Sequence, residues 1–151
     1  MRTVKNLLAS KAVPFNQVNS NTLVIDALKM IANINLSYLV IMDGEDFKGI
    51  FSEKDYSRNV ILKGRHSDST TVAEVVTPDI PIVGLAQTIE QCMILMNNHK
   101  TRYLLVFDED EKFAGVITIH DLLRQVISNK EDVFDRTLAQ KLIDDEEGRI
   151  Y

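Results

Sequence analysis

Apolar residues along this chain fall into two spacings, and the spacings alternate in an order that occurs twice. Val24, Ala27, Leu28 and Ile31 follow i, i+3, i+4, i+7, the stripe of an amphipathic helix that Asn21 or Thr22 is placed to cap. Tyr38 to Met42 is a short apolar run rich in β-formers, and Asp43-Gly44-Glu45-Asp46 turns it back into Phe47 to Phe51. Two strands on so short a connection predict an antiparallel hairpin. Ser52 then opens a helix to about Leu62. Upstream, residues 3 to 9 read as a short helical turn, and Val13, Phe15 and Val18 read as a short edge strand that Pro14 keeps extended. One unit is therefore strand, helix, strand, strand, helix.

The second half repeats it. Shifting the chain by 66 residues sets Thr22 on Thr88, Met30 on Met96, Leu39-Val40 on Leu105-Val106, Gly49 on Gly115, Asp55 on Asp121 and Arg58 on Arg124. Thr3-Val4 with Leu7-Leu8 resembles Thr71-Val72 with Val75-Val76 at an offset of 68, so the duplication contains one short indel. The second unit predicts a short turn over Thr71 to Val76, a strand at Ile80 to Val83, and a helix behind Thr88 with Ile89, Met93 and Met96 inward. Gln91 completes a capping box with Thr88. A hairpin of Tyr103 to Phe107 and Phe113 to Ile117 follows, then a helix from Thr118 to about Ser128. The polar stretch Lys63 to Ser69 connects the halves, giving expected divisions of 1–66, 67–128 and an unpaired remainder of 129–151. In that remainder Val133, Phe134, Leu138, Leu142 and Ile143 have helical spacing ahead of an acidic end. It reads either as a helix docking on a second chain or as an acidic tail.

Composition removes several function classes. A net charge of −5 with no basic block disfavours nucleic acid as a partner. No apolar run approaches the roughly eighteen residues of a membrane span, and the reading is of a soluble, intracellular, cytoplasmic protein. The single cysteine, Cys92, lies on a predicted apolar stripe, which argues for a core residue and against a disulfide framework, a multi-cysteine metal site or a nucleophile. His66, His99 and His120 are scattered without nucleophile–base spacing, so catalysis is not expected.

The candidate chemistry lies in Gly49-Ile50-Phe51-Ser52-Glu53-Lys54-Asp55 and its echo Gly115-Val116-Ile117-Thr118-Ile119-His120-Asp121. Each places a hydroxyl residue where a strand becomes a helix, where free backbone N–H groups and the positive dipole end favour a phosphate. The aspartate one turn on is positioned to accept from the two hydroxyls of a ribose, and the glycine lets a flat base approach the strand. Arg58 and Arg124, three residues further, are candidates to meet a phosphate. The plainer reading of each copy is an ordinary capped helix start with surface ion pairs. Two copies at one offset tilt the balance toward a nucleotide.

The repeated unit with this motif resembles the cystathionine β-synthase (CBS) domain over about residues 1 to 128. Phe51-Ser52-Glu53-Lys54-Asp55-Tyr56-Ser57-Arg58 is similar to stand-alone single-pair members, and Thr71-Val72-Ala73-Glu74-Val75-Val76-Thr77-Pro78 matches the segment between their two domains. The resemblance implies an α+β fold of tandem β-α-β-β-α half-domains with pseudo-twofold symmetry and clefts between the halves, commonly paired into a homodimer. It implies a regulatory role and a non-covalent ligand among AMP, ADP, ATP, NAD(H) and S-adenosyl compounds. Ser52 and Asp55 would hold phosphate and ribose in one cleft, Thr118 and Asp121 in the other. Lys100 and Arg102 would meet phosphate, and the backbone near Ile80 and Pro81 would flank an adenine. The sequence departs from the pattern at His120, where glycine is common, and at Arg102-Tyr103-Leu104-Leu105-Val106, where Leu105 replaces a proline; both departures bear on the second site. Output would pass through dimerisation or a regulated partner protein. The alternative is a dimerisation scaffold with empty clefts.

Overall fold

The computed structural model describes residues 2–11, 15–34, 36–76, 79–128 and 140–144. In chain order the elements are α1 (Val4–Ala9), β1 (Gln17–Val18), α2 (Val24–Ile34), β2 (Tyr38–Asp43) and β3 (Asp46–Ser52). They continue with α3 (Glu53–Asp55) running into a π-helical turn (Tyr56–Ile61), a 3₁₀ turn (Val72–Val75), β4 (Ile82–Val83), α4 (Ile89–His99), β5 (Tyr103–Phe107), β6 (Phe113–Thr118) and α5 (Ile119–Ser128). This is the β-α-β-β-α order twice over, an α+β fold. Each repeat builds a three-stranded sheet, β1-β2-β3 and β4-β5-β6, in which a two-residue edge strand pairs parallel to the first arm of an antiparallel hairpin. Of the expected strand over residues 11 to 19, Gln17–Val18 is the part that pairs among the described residues, and Val13 and Pro14 lie outside them.

The compact units do not follow the repeat boundary. One comprises Phe15–Asp79, and the other Met1–Pro14 together with Ile80–Tyr151. The turn ahead of each repeat thus packs with the other repeat's body, which the expected division at 66/67 does not anticipate. Backbone hydrogen bonding accounts for the arrangement. Neither Asn21 nor Thr22 caps α2; its first N–H groups at Val24 and Ile25 donate instead to the carbonyls of Thr70 (2.8 Å) and Ser67 (2.9 Å). In return the Val72 N–H donates to the Thr22 carbonyl at 2.9 Å. In the other unit Val4 and Lys5 donate to Gln87 (2.8 Å) and Leu85 (3.0 Å), and Ile89 donates to Arg2 (3.2 Å). α4 does carry the expected side-chain cap, with the Gln91 N–H donating to Thr88 Oγ1 at 3.1 Å.

Each unit buries its own core. Val24, Ala27 and Ile31 of α2 meet Leu39, Ile41 and Phe51 of the hairpin, with Val72 and Val75 closing the cluster. Ile89, Cys92, Met93 and Met96 of α4 meet Leu104, Val106 and Ile117, and here α1 supplies Val4 and Leu7. The remainder expected as helix or tail is described only over 140–144, which is helical, and Leu142 joins this second core at 3% exposure.

The repeated glycines sit at matching irregularities. Register slips between Ile41 and Met42 opposite Gly49, and between Val106 and Phe107 opposite Gly115, so each second strand carries a bulge just ahead of its glycine. The φ angles of 153° at Gly49 and 158° at Gly115 are ones that side chains rarely adopt. Over Gly49 the space is filled by Val76, whose Cβ would lie 3.0 Å from an added Cβ. The close approach that this glycine permits serves a valine of its own unit, where the sequence suggested room for a base.

Candidate functional site

Both motifs form the expected strand-to-helix junction, and in both the aspartate folds back on it. Ser52 ends β3 in extended geometry and caps α3. Its N–H and Oγ–H donate to Asp55 Oδ2 at 2.8 and 2.9 Å, and the Asp55 N–H donates to Ser52 Oγ at 3.3 Å. Ser52 and Asp55 are each 6% exposed. A carboxylate this buried needs such partners, because an ionised acid without them carries a large desolvation cost. In the second copy the Thr118 N–H donates to Asp121 Oδ2 at 2.9 Å and the Asp121 N–H to Thr118 Oγ1 at 3.2 Å. The Ile119 N–H donates to the Arg102 carbonyl at 2.9 Å. The N–H groups at Ser52, Thr118 and Ile119, which the sequence offered to a phosphate, are therefore engaged by the chain itself.

Beyond these shared contacts the two copies differ. Lys11, 18% exposed at its side chain, donates from Nζ to Asp121 Oδ2 and to the Val116 carbonyl, both at 3.0 Å. Arg124, an exposed side chain, places Nη2 3.7 Å from Asp121 Oδ1, the helix-face neighbour that its spacing predicts. In the first copy the helix widens into a π turn directly after Asp55, with the Leu62 N–H reaching the Ser57 carbonyl five residues back at 3.1 Å. Arg58, expected on one face with Asp55, lies in this wider turn and is exposed. Such turns are frequent at functional sites.

The remaining expected residues fall in the unit that holds the second motif. Arg102 is half-buried, with its carbonyl bonded at the start of α5. Lys100 is exposed and closes α4 in a left-handed conformation (φ 52°), its N–H donating to the Met96 carbonyl. Ile80 is buried, and the Pro81 carbonyl accepts from the Leu105 N–H at 2.9 Å. That bond gives the departure at Leu105 a physical consequence. A proline could not donate it, so leucine here keeps β4 zipped to β5 where the family pattern would leave a carbonyl open. His120 is exposed.

Lys11 is the contributor that sequence reasoning missed. Its position signals nothing by spacing, since it reaches Asp121 only because residues 1–14 pack with the second repeat. Burial pushes the Cys92 thiol up to about 12, which keeps it protonated and unreactive. Among the described residues no cluster of three or more His, Cys, Asp or Glu could hold a metal ion, and no helix is long and apolar enough to cross a membrane.

Comparison with known proteins gives the geometry a context. The family model for the CBS domain matches twice, over residues 4–61 and 72–128. A protein with CBS domains from Burkholderia ambifaria MC40-6 is 34% identical, with 87% of this chain and 98% of that one covered at a TM-score of 0.76. The CBS domain-containing protein CBSX3, mitochondrial, of Arabidopsis thaliana is 28% identical over 121 residues, 77% of this chain. The chain spans only 58% of that relative's length. The crystal structure of CBSX2 in complex with AMP has the same fold, at a TM-score of 0.70 and 23% identity over 87% of this chain and all of that one.

Proposed function

The chain belongs to the CBS-domain family, and from that premise we propose that it is a non-catalytic regulatory module that binds an adenine nucleotide at its two hydroxyl–aspartate motifs. The observation that carries the reading is the duplicated pairing of a hydroxyl residue with a buried carboxylate. Ser52 with Asp55, and Thr118 with Asp121, each set a nearly buried carboxylate one turn into a helix at a strand end. On this reading Asp55 and Asp121 take the ribose diol, and Ser52 and Thr118 lie beside the phosphate. Arg58, Arg102 and Lys100 supply cationic partners, and the chain near Ile80 and Pro81 borders the base. CBSX2 supports the choice of ligand class, as a protein of the same fold with AMP bound. AMP is the first ligand to test, ahead of ADP, ATP and NAD(H). Signalling through a homodimer or a regulated partner, in the cytoplasm, belongs to the same proposal.

A second reading, a scaffold that binds nothing, draws support from the hydrogen bonds with which both motifs already satisfy themselves. Thermal unfolding with each nucleotide separates the two. A ligand at a hundred times its dissociation constant stabilises by about 2.7 kcal/mol. A midpoint unmoved by all four nucleotides at millimolar concentration would leave the scaffold. Light scattering at micromolar protein tests the dimer, which a monomer mass would contradict.

A further inference from the structure

We propose that Lys11 sets the ligand preference of the second motif, as an internal cation that sits on Asp121 until a ligand phosphate takes it over. The inference rests on the nucleotide reading above and assigns a residue to it that the repeated motif does not contain. The Lys11 side chain is part-buried, and its ammonium makes two 3.0 Å contacts, to Asp121 Oδ2 and to the Val116 carbonyl. Oδ2 also accepts from the Thr118 N–H, so that oxygen holds two donors already. A carboxylate oxygen offers about two lone-pair sites. A ribose diol that grips both carboxylate oxygens therefore has to displace the ammonium from Oδ2. A nucleoside leaves the displaced cation with the Val116 carbonyl and no anion, so the ion pair is lost. A nucleotide brings its own anion, and the lysine exchanges one charge-assisted bond for another. Lys11 thereby opposes adenosine and favours AMP.

The duplication supplies an internal control. At the offset of 68 that aligns Thr3-Val4 with Thr71-Val72, the position matching Lys11 is Asp79, an exposed acid. The repeat puts an acid where Lys11 stands, and the Lys11 contacts are to Asp121 and Val116, so the effect of this lysine is confined to the second motif.

The test follows backbone amide shifts of the full chain during titration with adenosine and with AMP. Thr118 to Asp121 report the second motif, and Ser52 to Asp55 the first. Lys11→Met keeps the unbranched chain, one atom shorter, and removes its charge; Lys11→Gln replaces it where the methionine variant does not fold. An ion pair near the protein surface contributes up to about 1 kcal/mol, which is about fivefold in affinity. In the variant, adenosine at Thr118–Asp121 should tighten by about fivefold and AMP weaken by about as much, with the constants at Ser52–Asp55 unchanged. AMP binding with an unaltered AMP-to-adenosine ratio at Thr118–Asp121 would overturn the role of Lys11 and leave the nucleotide reading standing. No shift at Thr118–Asp121 with either compound at millimolar concentration, in wild type and variant alike, would overturn both for this motif.

Discussion

Asp55→Asn separates the two jobs that the first motif is asked to do. In the folded chain Asp55 Oδ2 accepts from both the Ser52 N–H and the Ser52 hydroxyl, and an asparagine oxygen can occupy the same place. The helix cap therefore survives in neutral form. Bonds to a charged group contribute about 1.5–3 kcal/mol and neutral ones about 0.5–1.5, so the loss in stability should be about 1–2 kcal/mol. For a chain of 151 residues that lowers the thermal midpoint by roughly 2–8 °C. Binding should suffer more. The amide has one oxygen, already engaged by Ser52, and its nitrogen donates where a ribose hydroxyl needs an acceptor. Loss of the charged grip on the diol should cost AMP about 1.5–3 kcal/mol, a ten- to hundredfold rise in dissociation constant. At 25 °C the variant remains overwhelmingly folded, so amide shifts at Ser52–Asp55 read binding and not unfolding. A lowered midpoint with AMP affinity within twofold of wild type would refute the reasoning and make Asp55 a cap alone.

Three further outcomes are expected. Gly49→Ala should destabilise Phe15–Asp79 by about 1–3 kcal/mol, because the new Cβ meets the Val76 Cβ at 3.0 Å and φ is 153°; in denaturant melts, Val76→Ala should recover only the share owed to the two Cγ contacts at 3.2 and 3.3 Å, since alanine keeps the Cβ. Leu7→Ala should cost about 2–5 kcal/mol and raise amide exchange in β5 and β6 while sparing β2 and β3, since Leu7 is 1% exposed within the second repeat's core; a loss of protection confined to β2 and β3 would contradict the assignment of α1. Asp43 is held below the usual carboxylate range by the Ser20 hydroxyl and N–H, so its contribution is present at neutral pH and fades as pH falls through its lowered pKa; Ser20→Ala should move the carboxyl-carbon titration midpoint of Asp43 upward.

The repeat and both hairpins were legible because they depend on spacings a few residues long. The hydroxyl–aspartate boxes were legible for the same reason, since Ser52 and Asp55 are three residues apart and need no tertiary partner to meet. The partner of the α1 segment was not legible. Val4 and Leu7 present an apolar side with no local target, and either repeat offers a helix start with unsatisfied N–H groups. The cap of α2 was misplaced for a related reason. Carbonyls at Ser67 and Thr70, more than forty residues away in sequence, serve α2 where Asn21 and Thr22 looked sufficient. The π turn after Asp55 leaves little mark either, as Tyr56–Ile61 and its α-helical counterpart Leu122–Ile127 match in apolar and polar type at every position but Ser57, which faces Leu123.

Satisfied motifs are what a binding site of this kind requires in its free state. A carboxylate at 6% exposure cannot wait unpartnered for a ligand, because desolvation of the ion would then be unpaid in every unliganded molecule. The chain has to supply temporary donors, and the question for each copy is which of them a ligand can replace. Ser52 and Thr118 donate from the backbone at a fixed helix start, so those bonds persist whatever binds. Lys11 donates from the end of a flexible side chain, so its bond can be exchanged. At the second copy, then, a ligand on the proposed reading has Lys11 to displace. On that reading, the ammonium on Asp121 makes the second copy answer to the charge of the ligand.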